Sequence, residues 1–236
     1  MLETGFLQRT ATVEAVTYPY QLYVPPEFMP ERSWPVILFL HGAGEGGRDG
    51  IRQTRVGLGP AIRRYPERFP AVVVFPQSPR GHPWRGPSAD LALRALEQTL
   101  KEFQGDPDRL YLTGISMGGY GTWRLALQDP HRFVAIVPIC GGLDSPARRG
   151  ASAREPFLEA ARQLRHLPTW VFHGEEDDII PVSESRIMVR ALQEVGAPVR
   201  YTEYPGVEHD SWDPAYAEPE LATWLLSQKR TSASAR

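Results

Sequence analysis

Two rhythms of apolar residues alternate along this chain. Runs rich in apolar and β-branched residues stand at VILFL (36–40), AVVVF (71–75), RLYLTGI (109–115), FVAIVPIC (133–140), TWVFHG (169–174) and VRYTEY (199–204). Their length and composition predict strands, most of them buried on both faces. Between them lie segments with apolar residues every three or four positions: one within 57–65, one from Ser88 to Phe103, and others at 117–128, 183–195 and 214–227. The segment from Ser88 carries Leu91, Leu93, Leu96, Leu100 and Phe103, opens on a serine suited to an N-cap, and stops at Gly105-Asp106-Pro107. Buried strands alternating with helices predict an α/β chain whose mostly parallel central sheet is covered on both faces. Residues 11–24, ATVEAVTYPYQLYV, break the rhythm and predict one or two antiparallel strands at an edge of the sheet.

With 236 residues, no internal repeat and no linker, the expectation is a single domain over 1–228, followed by a flexible tail at 229–236, KRTSASAR. Fewer than thirty residues separate the strand ending near Cys140 from the one beginning near Thr169, which leaves room for a covering helix and a minimal lid. A net charge of −2 gives no basic surface on the scale that nucleic acid or an anionic membrane requires, so neither is an expected partner. No apolar stretch approaches the ~20 residues of a membrane span. MLETGFLQRT lacks the basic segment and apolar core of a signal peptide, so a cytoplasmic location is expected. Cys140, the single cysteine, lies in an apolar run and is expected to be buried.

The chemistry begins with a false lead. Gly42-Ala43-Gly44-Glu45-Gly46-Gly47 spells G-x-G-x-x-G after a strand, but a dinucleotide site needs the turn to run into a helix and the next strand to end on a carboxylate. Arg48-Asp49-Gly50 and VVVFPQSP provide neither. The more specific signal is Gly114-Ile115-Ser116-Met117-Gly118, with a strand before it and a helix after, the context of a nucleophile elbow. A serine on so sharp a turn is strained, and any side chain two residues to either side would collide with it. The helix N-terminus there favours developing negative charge.

A serine nucleophile needs a histidine base, and the histidine needs a carboxylate to fix its tautomer. His209, in the loop after the last strand, is the base expected from chain order, while His41 and His173 each end a strand in an HG pair and are expected to be structural. Glu175, Glu176, Asp177 and Asp178 are all within reach as the acid. Trp84 and Trp212 are candidates for lining the substrate pocket, packing at a loop base being the alternative. No metal-ligand set such as HExxH appears, and neither metal nor organic cofactor is expected.

FLHGAGE, GISMGGYGTW, FHGEEDDIIPVSES and VEHDSWDPAY, spread over residues 39–216, together resemble the α/β-hydrolase superfamily. More narrowly they are similar to its single-domain carboxylesterases, the phospholipase/carboxylesterase and dienelactone-hydrolase-like group. The resemblance implies an α/β-hydrolase fold and places the acid three residues after the second HG pair, at Asp177. It also implies an oxyanion hole formed by the backbone amides of Ala43 and Met117. The implied function is a serine carboxylesterase acting on a small-molecule ester, with short acyl chains favoured. Feruloyl, aryl or polysaccharide-linked esters, thioesters and peptides are alternatives on the same machinery, and a non-catalytic binding protein is the alternative of another class.

Overall fold

The computed structural model describes residues 3–143 and 154–230. In chain order the elements are β1 (Gly5–Val13), β2 (Val16–Val24), β3 (Trp34–Leu40), α1 (Leu58–Arg64), β4 (Val72–Pro76), α2 (Pro87–Glu102), β5 (Gly105–Ile115), α3 (Met117–Gln128) and β6 (Ala135–Ile139). They continue with α4 (Arg154–Gln163), β7 (Thr169–Gly174), α5 (Ser183–Glu194), β8 (Val199–Tyr204), α6 (Trp212–Ala217) and α7 (Pro219–Ser227). One sheet of eight strands has the order β1-β2-β4-β3-β5-β6-β7-β8. The pairs from β4 through β8 are parallel, whereas β1 and β2 run antiparallel to their neighbours and form the edge, as the sequence predicts. This is the α/β-hydrolase arrangement.

Alternation along β3 explains why the sheet needs helices on both sides. Val36, Leu38 and Leu40 pack in one apolar cluster with residues of α2, α3, α4 and α5, while Ile37 and Phe39 pack in a second with residues of α1, α6 and α7. All five are fully buried. Each leucine or isoleucine withdrawn from water in this way contributes roughly 1.5–3 kcal/mol, so the sheet is held rigidly from both faces. Strands β3, β5, β6, β7 and β8 share one direction and end at one edge, where their loops can meet.

Several strand ends shift by one or two residues, as at β6, Ala135–Ile139 against 133–140, and four further differences from the sequence reading have local causes. Antiparallel pairing begins at Gly5 and not at residue 11, and the β1–β2 hairpin turns on Glu14 and Ala15, both with positive φ, as a two-residue turn between twisted strands requires. Ser88 is not an N-cap: α2 starts at Pro87 after Gly86, and the Ser88 hydroxyl turns inward to Ser78 Oγ at 3.0 Å. Gly105-Asp106-Pro107 does not simply end α2, because β5 already begins at Gly105, opposite Trp34. The last helix is two, since Pro219 lacks an amide hydrogen and Glu218 before it is extended.

Residues 144–153, on which the expectation of a minimal lid rests, and 231–236 of the expected tail lie outside the described residues. Within the described part of that tail, Arg230 is tethered: its amide donates to the Asp108 carbonyl at 3.0 Å, and its guanidinium donates to the His131 carbonyl at 2.6 Å. Among the described residues, no helix is long and apolar enough to cross a membrane.

Candidate active site

Ser116 stands between the last residue of β5 and the first of α3 with φ 53° and ψ −116°, the strained left-side backbone expected of an elbow. The glycine spacing has the steric cause anticipated. A Cβ on Gly114 would lie 2.3 Å from the Gly118 carbonyl oxygen, and one on Gly118 would lie 1.9 Å from that of Leu40. The Ser116 amide is anchored to the Ile139 carbonyl at the end of β6 (3.0 Å), and its own carbonyl accepts the Tyr120 amide (3.1 Å). The hydroxyl therefore sits at the N-cap of a twelve-residue helix with its backbone fixed from both sides.

The loop after β7 delivers the acid. Asp177 is the buried member of its acidic run, while Glu175, Glu176 and Asp178 are exposed. Its Oδ1 accepts the amides of Ile179 (3.0 Å) and Ile180 (2.8 Å), and its Oδ2 lies 2.7 Å from His209 Nδ1. Burial alone would raise this carboxyl. The hydrogen bonds from His173, His209 and the Ile180 amide, with the charge of His209, more than reverse that and hold it well below the usual carboxylate range.

His209 reaches the site because the loop after β8 is pulled against the end of β7. The Glu176 amide donates to the Val207 carbonyl at 2.9 Å, and a Cβ on Gly174 would stand 2.2 Å from the Glu208 carbonyl oxygen. Facing a carboxylate, Nδ1 carries the proton; Nε2, 2.9 Å from Ser116 Oγ, is then the acceptor. Ser116, His209 and Asp177 are thus joined in series from three loops at one edge of the sheet.

The loop after β3 approaches from the nucleophile's other side. A Cβ on Gly42 would be 3.7 Å from Ser116 Cβ, which places the backbone of Gly42 and the exposed Ala43 beside the elbow. The G-x-G-x-x-G letters form a short turn at Ala43–Glu45, and no α-helix follows until α1. Gln77, at the end of β4, braces this loop by donating to the Glu45 carbonyl (3.0 Å) and accepting the Gly50 amide (2.7 Å). Glu45 Oε2 lies 3.0 Å from the Cβ position on Gly42, and burial pushes its carboxyl up. Sequence reasoning found neither Gln77 nor Glu45. Nothing in VVVFPQSP marks its glutamine, and Glu45 read only as a variable letter of the glycine motif.

The two tryptophans separate. Trp212 is half-buried, edge-on to His209 with ring centroids 5.4 Å apart, so it stands beside the expected base. Trp84 is only 1% exposed, and its indole N–H donates to the His41 carbonyl at 2.9 Å. It packs beneath the loop and does not line an open pocket, a correction to the sequence reading; its ring satisfies one buried carbonyl and fills the space above Gly121. Cys140 is fully buried as expected, and burial pushes its thiol up to about 12. Its sulfur, Asp177 and His209 offer ligand atoms within 4.8 Å of one another. The carboxylate and the imidazole are hydrogen-bonded to each other, however, and the thiol is held protonated.

Comparison with known proteins supplies the context. The crystal structure of a thermostable esterase superposes with a TM-score of 0.82 at 35% identity, over 95% of this chain and 63% of that one. An uncharacterized secreted protein of Arthroderma benhamiae is 29% identical over 199 residues, 74% of this chain and 21% of the relative. Esterase LipQ of Mycobacterium tuberculosis is 26% identical over 223 residues, 78% of this chain and 52% of LipQ. The chain therefore spans from about a fifth to about half the length of these two relatives. The family described as Dienelactone hydrolase family matches residues 87–220, more than half the chain and the stretch that holds Ser116, Asp177 and His209. The chain belongs to the dienelactone hydrolase family.

Proposed function

We propose that this protein is a serine hydrolase of carboxylic esters. The observation that carries the reading is the continuous series from Ser116 Oγ through His209 to Asp177, with bonds of 2.9 and 2.7 Å. In this reading Ser116 Oγ attacks the ester carbonyl while its proton passes to His209 Nε2. Asp177 stays ionised and steadies the imidazolium that forms. The Ala43 and Met117 amides hold the oxyanion, each donor contributing on the order of 3 kcal/mol to the transition state. His209 then protonates the departing alcohol, and water, deprotonated by the same histidine, releases the acid from Ser116.

The reading extends to short acyl chains. Ala43 and Gly44 are exposed, and nothing stands within 4 Å of the position a Cβ on Gly44 would take. Among the described residues, no wall that could enclose a long acyl chain stands on that side. Hydrolysis of p-nitrophenyl esters of graded acyl length tests both parts. The expected result is turnover that is highest for the shortest acyl groups and falls to background in Ser116→Ala. Equal rates for wild type and Ser116→Ala would support a non-catalytic binding protein instead.

A further inference from the structure

The oxygen of Asp177 that faces His209 also faces a second histidine. His173, the last but one residue of β7, is fully buried, and its Nε2 lies 3.2 Å from Asp177 Oδ2 and 2.9 Å from the Ile180 carbonyl oxygen. An ionised carboxylate and a carbonyl can only accept, so Nε2 must carry a hydrogen. On the other side of the ring, Nδ1 is 2.7 Å from Ser185 Oγ, a buried hydroxyl of α5 that can donate into it. The neutral Nε2–H tautomer thus satisfies both ring nitrogens without a charge being buried.

Another carboxylate is close, and it is occupied. Glu203 stands opposite His173 across the β7–β8 pair, but Arg186 engages it with two bonds of 2.9 and 2.5 Å, and the Tyr201 hydroxyl with one of 2.5 Å. Those bonds hold Glu203 down to about 2. Asp177 is left as the carboxylate that His173 serves. Asp177 Oδ1 accepts the Ile179 and Ile180 amides and Oδ2 accepts His209 Nδ1–H, while His173 Nε2, whose hydrogen is shared with the Ile180 carbonyl at 2.9 Å, stands 3.2 Å from Oδ2. A carboxylate contacted on both oxygens in this way resists rotation.

We propose that His173 is a positioning residue for the hydrolysis: through Asp177 Oδ2 it fixes the plane of the carboxylate, and so the aim of His209 at Ser116, with Ser185 setting the His173 tautomer. This rests on the serine-hydrolase reading above. It gives the second HG pair a role in the reaction beside the one it has in folding, where the Nε2 bond to the Ile180 carbonyl closes the loop after β7. The titratable groups around it are Asp177, His209, Glu203 and Arg186, with the protonated Cys140 thiol within 4.8 Å of the Asp177 and His209 ligand atoms.

The test compares His173→Gln, whose amide can place an N–H where Nε2–H stood, with His173→Phe, which keeps the ring's bulk and has no donor. Each is measured for kcat, KM and melting temperature. His173→Phe should lose about 30-fold in kcat with KM nearly unchanged, the size expected for one hydrogen bond to a charged group, and His173→Gln should recover to within about threefold of wild type. The far-downfield proton resonance of the His209–Asp177 hydrogen bond should move in the Phe variant and stay in the Gln variant.

Equal losses in the two variants, or a folded His173→Phe with wild-type kcat, overturn the proposal. If His173→Phe does not fold, Ser185→Ala takes its place: a fall in kcat with a shifted resonance supports the proposal, and no change in either refutes it. The resonance is read without substrate. A wild type inactive on every ester would therefore end the functional reading while the His173 contact was still judged by that signal.

Discussion

Two parallel strands of this sheet end in the same dipeptide, and the two histidines do different work. His41 closes β3 and His173 closes β7; both are fully buried, and both read from sequence as structural. The His41 ring nitrogens meet only backbone: Nδ1 donates to the Gly42 carbonyl at 2.6 Å and Nε2 accepts the Ser78 amide at 3.0 Å, with the Trp84 ring edge-on beside it. Burial pushes it down to about 4, so it stays neutral and pins one loop to another. His173 also holds one backbone group, the Ile180 carbonyl, but it adds the Asp177 carboxylate and a serine hydroxyl. An HG pair at a strand end is thus a socket for a ring, and the loop that closes over it decides whether that ring braces the fold or reaches the chemistry. The His41 end supports stability; the His173 end supports the reacting groups.

That contrast can be broken from either side. The largest effect belongs to the β7 end. Asp177→Asn should lower kcat by about 10⁴ with little change in melting temperature, whereas Asp178→Asn, exposed, should leave the ester assay unchanged. The reverse pattern would move the acid by one residue and detach His173 from it.

The β3 end should show itself in stability and not in turnover. Because burial lowers the folded pKa of His41 from 6.5 to about 4, its contribution is complete above pH 6.5 and is lost as the pH falls toward 4, where only the unfolded chain takes up the proton. The loss should reach on the order of 3 kcal/mol. Denaturant midpoints measured across that window should fall, and His41→Gln, which keeps an acceptor for the Ser78 amide, should flatten the slope. Smaller still, Trp84→Phe removes the donor to the His41 carbonyl and should cost about 1 kcal/mol in a melting experiment while kcat holds. A large drop in kcat there would return Trp84 to the substrate pocket.

The same contrast marks what could be read from the chain alone. TWVFHG and VRYTEY match β7 and β8 residue for residue, because segments rich in β-branched and aromatic residues that start right after a proline carry their own limits. The elbow was equally legible as a strand-turn-helix motif, although only Gly114 answers to a contact within that unit and Gly118 answers to Leu40 of β3. Asp177 was harder. Four acids in a row offer the same chemistry, and burial under the Ile179 and Ile180 amides, a matter of how the loop folds back, distinguishes one of them. His173 is structural as expected in that it bonds the Ile180 carbonyl, but its partners arrive from the loop ahead and from α5, and its place beside Asp177 was not legible for the same reason. Trp84 was misplaced because proximity in sequence to a loop says nothing of which way the ring turns. Ser88 failed as a cap because Gly86 and Pro87 had already set the helix start.

The most direct measurement is the location of a covalent organophosphate adduct by mass spectrometry, run beside the ester assay. The account predicts one adduct, on the peptide that carries Ser116, lost together with hydrolysis in Ser116→Ala. An adduct on any other residue, or full hydrolysis by Ser116→Ala, would contradict it.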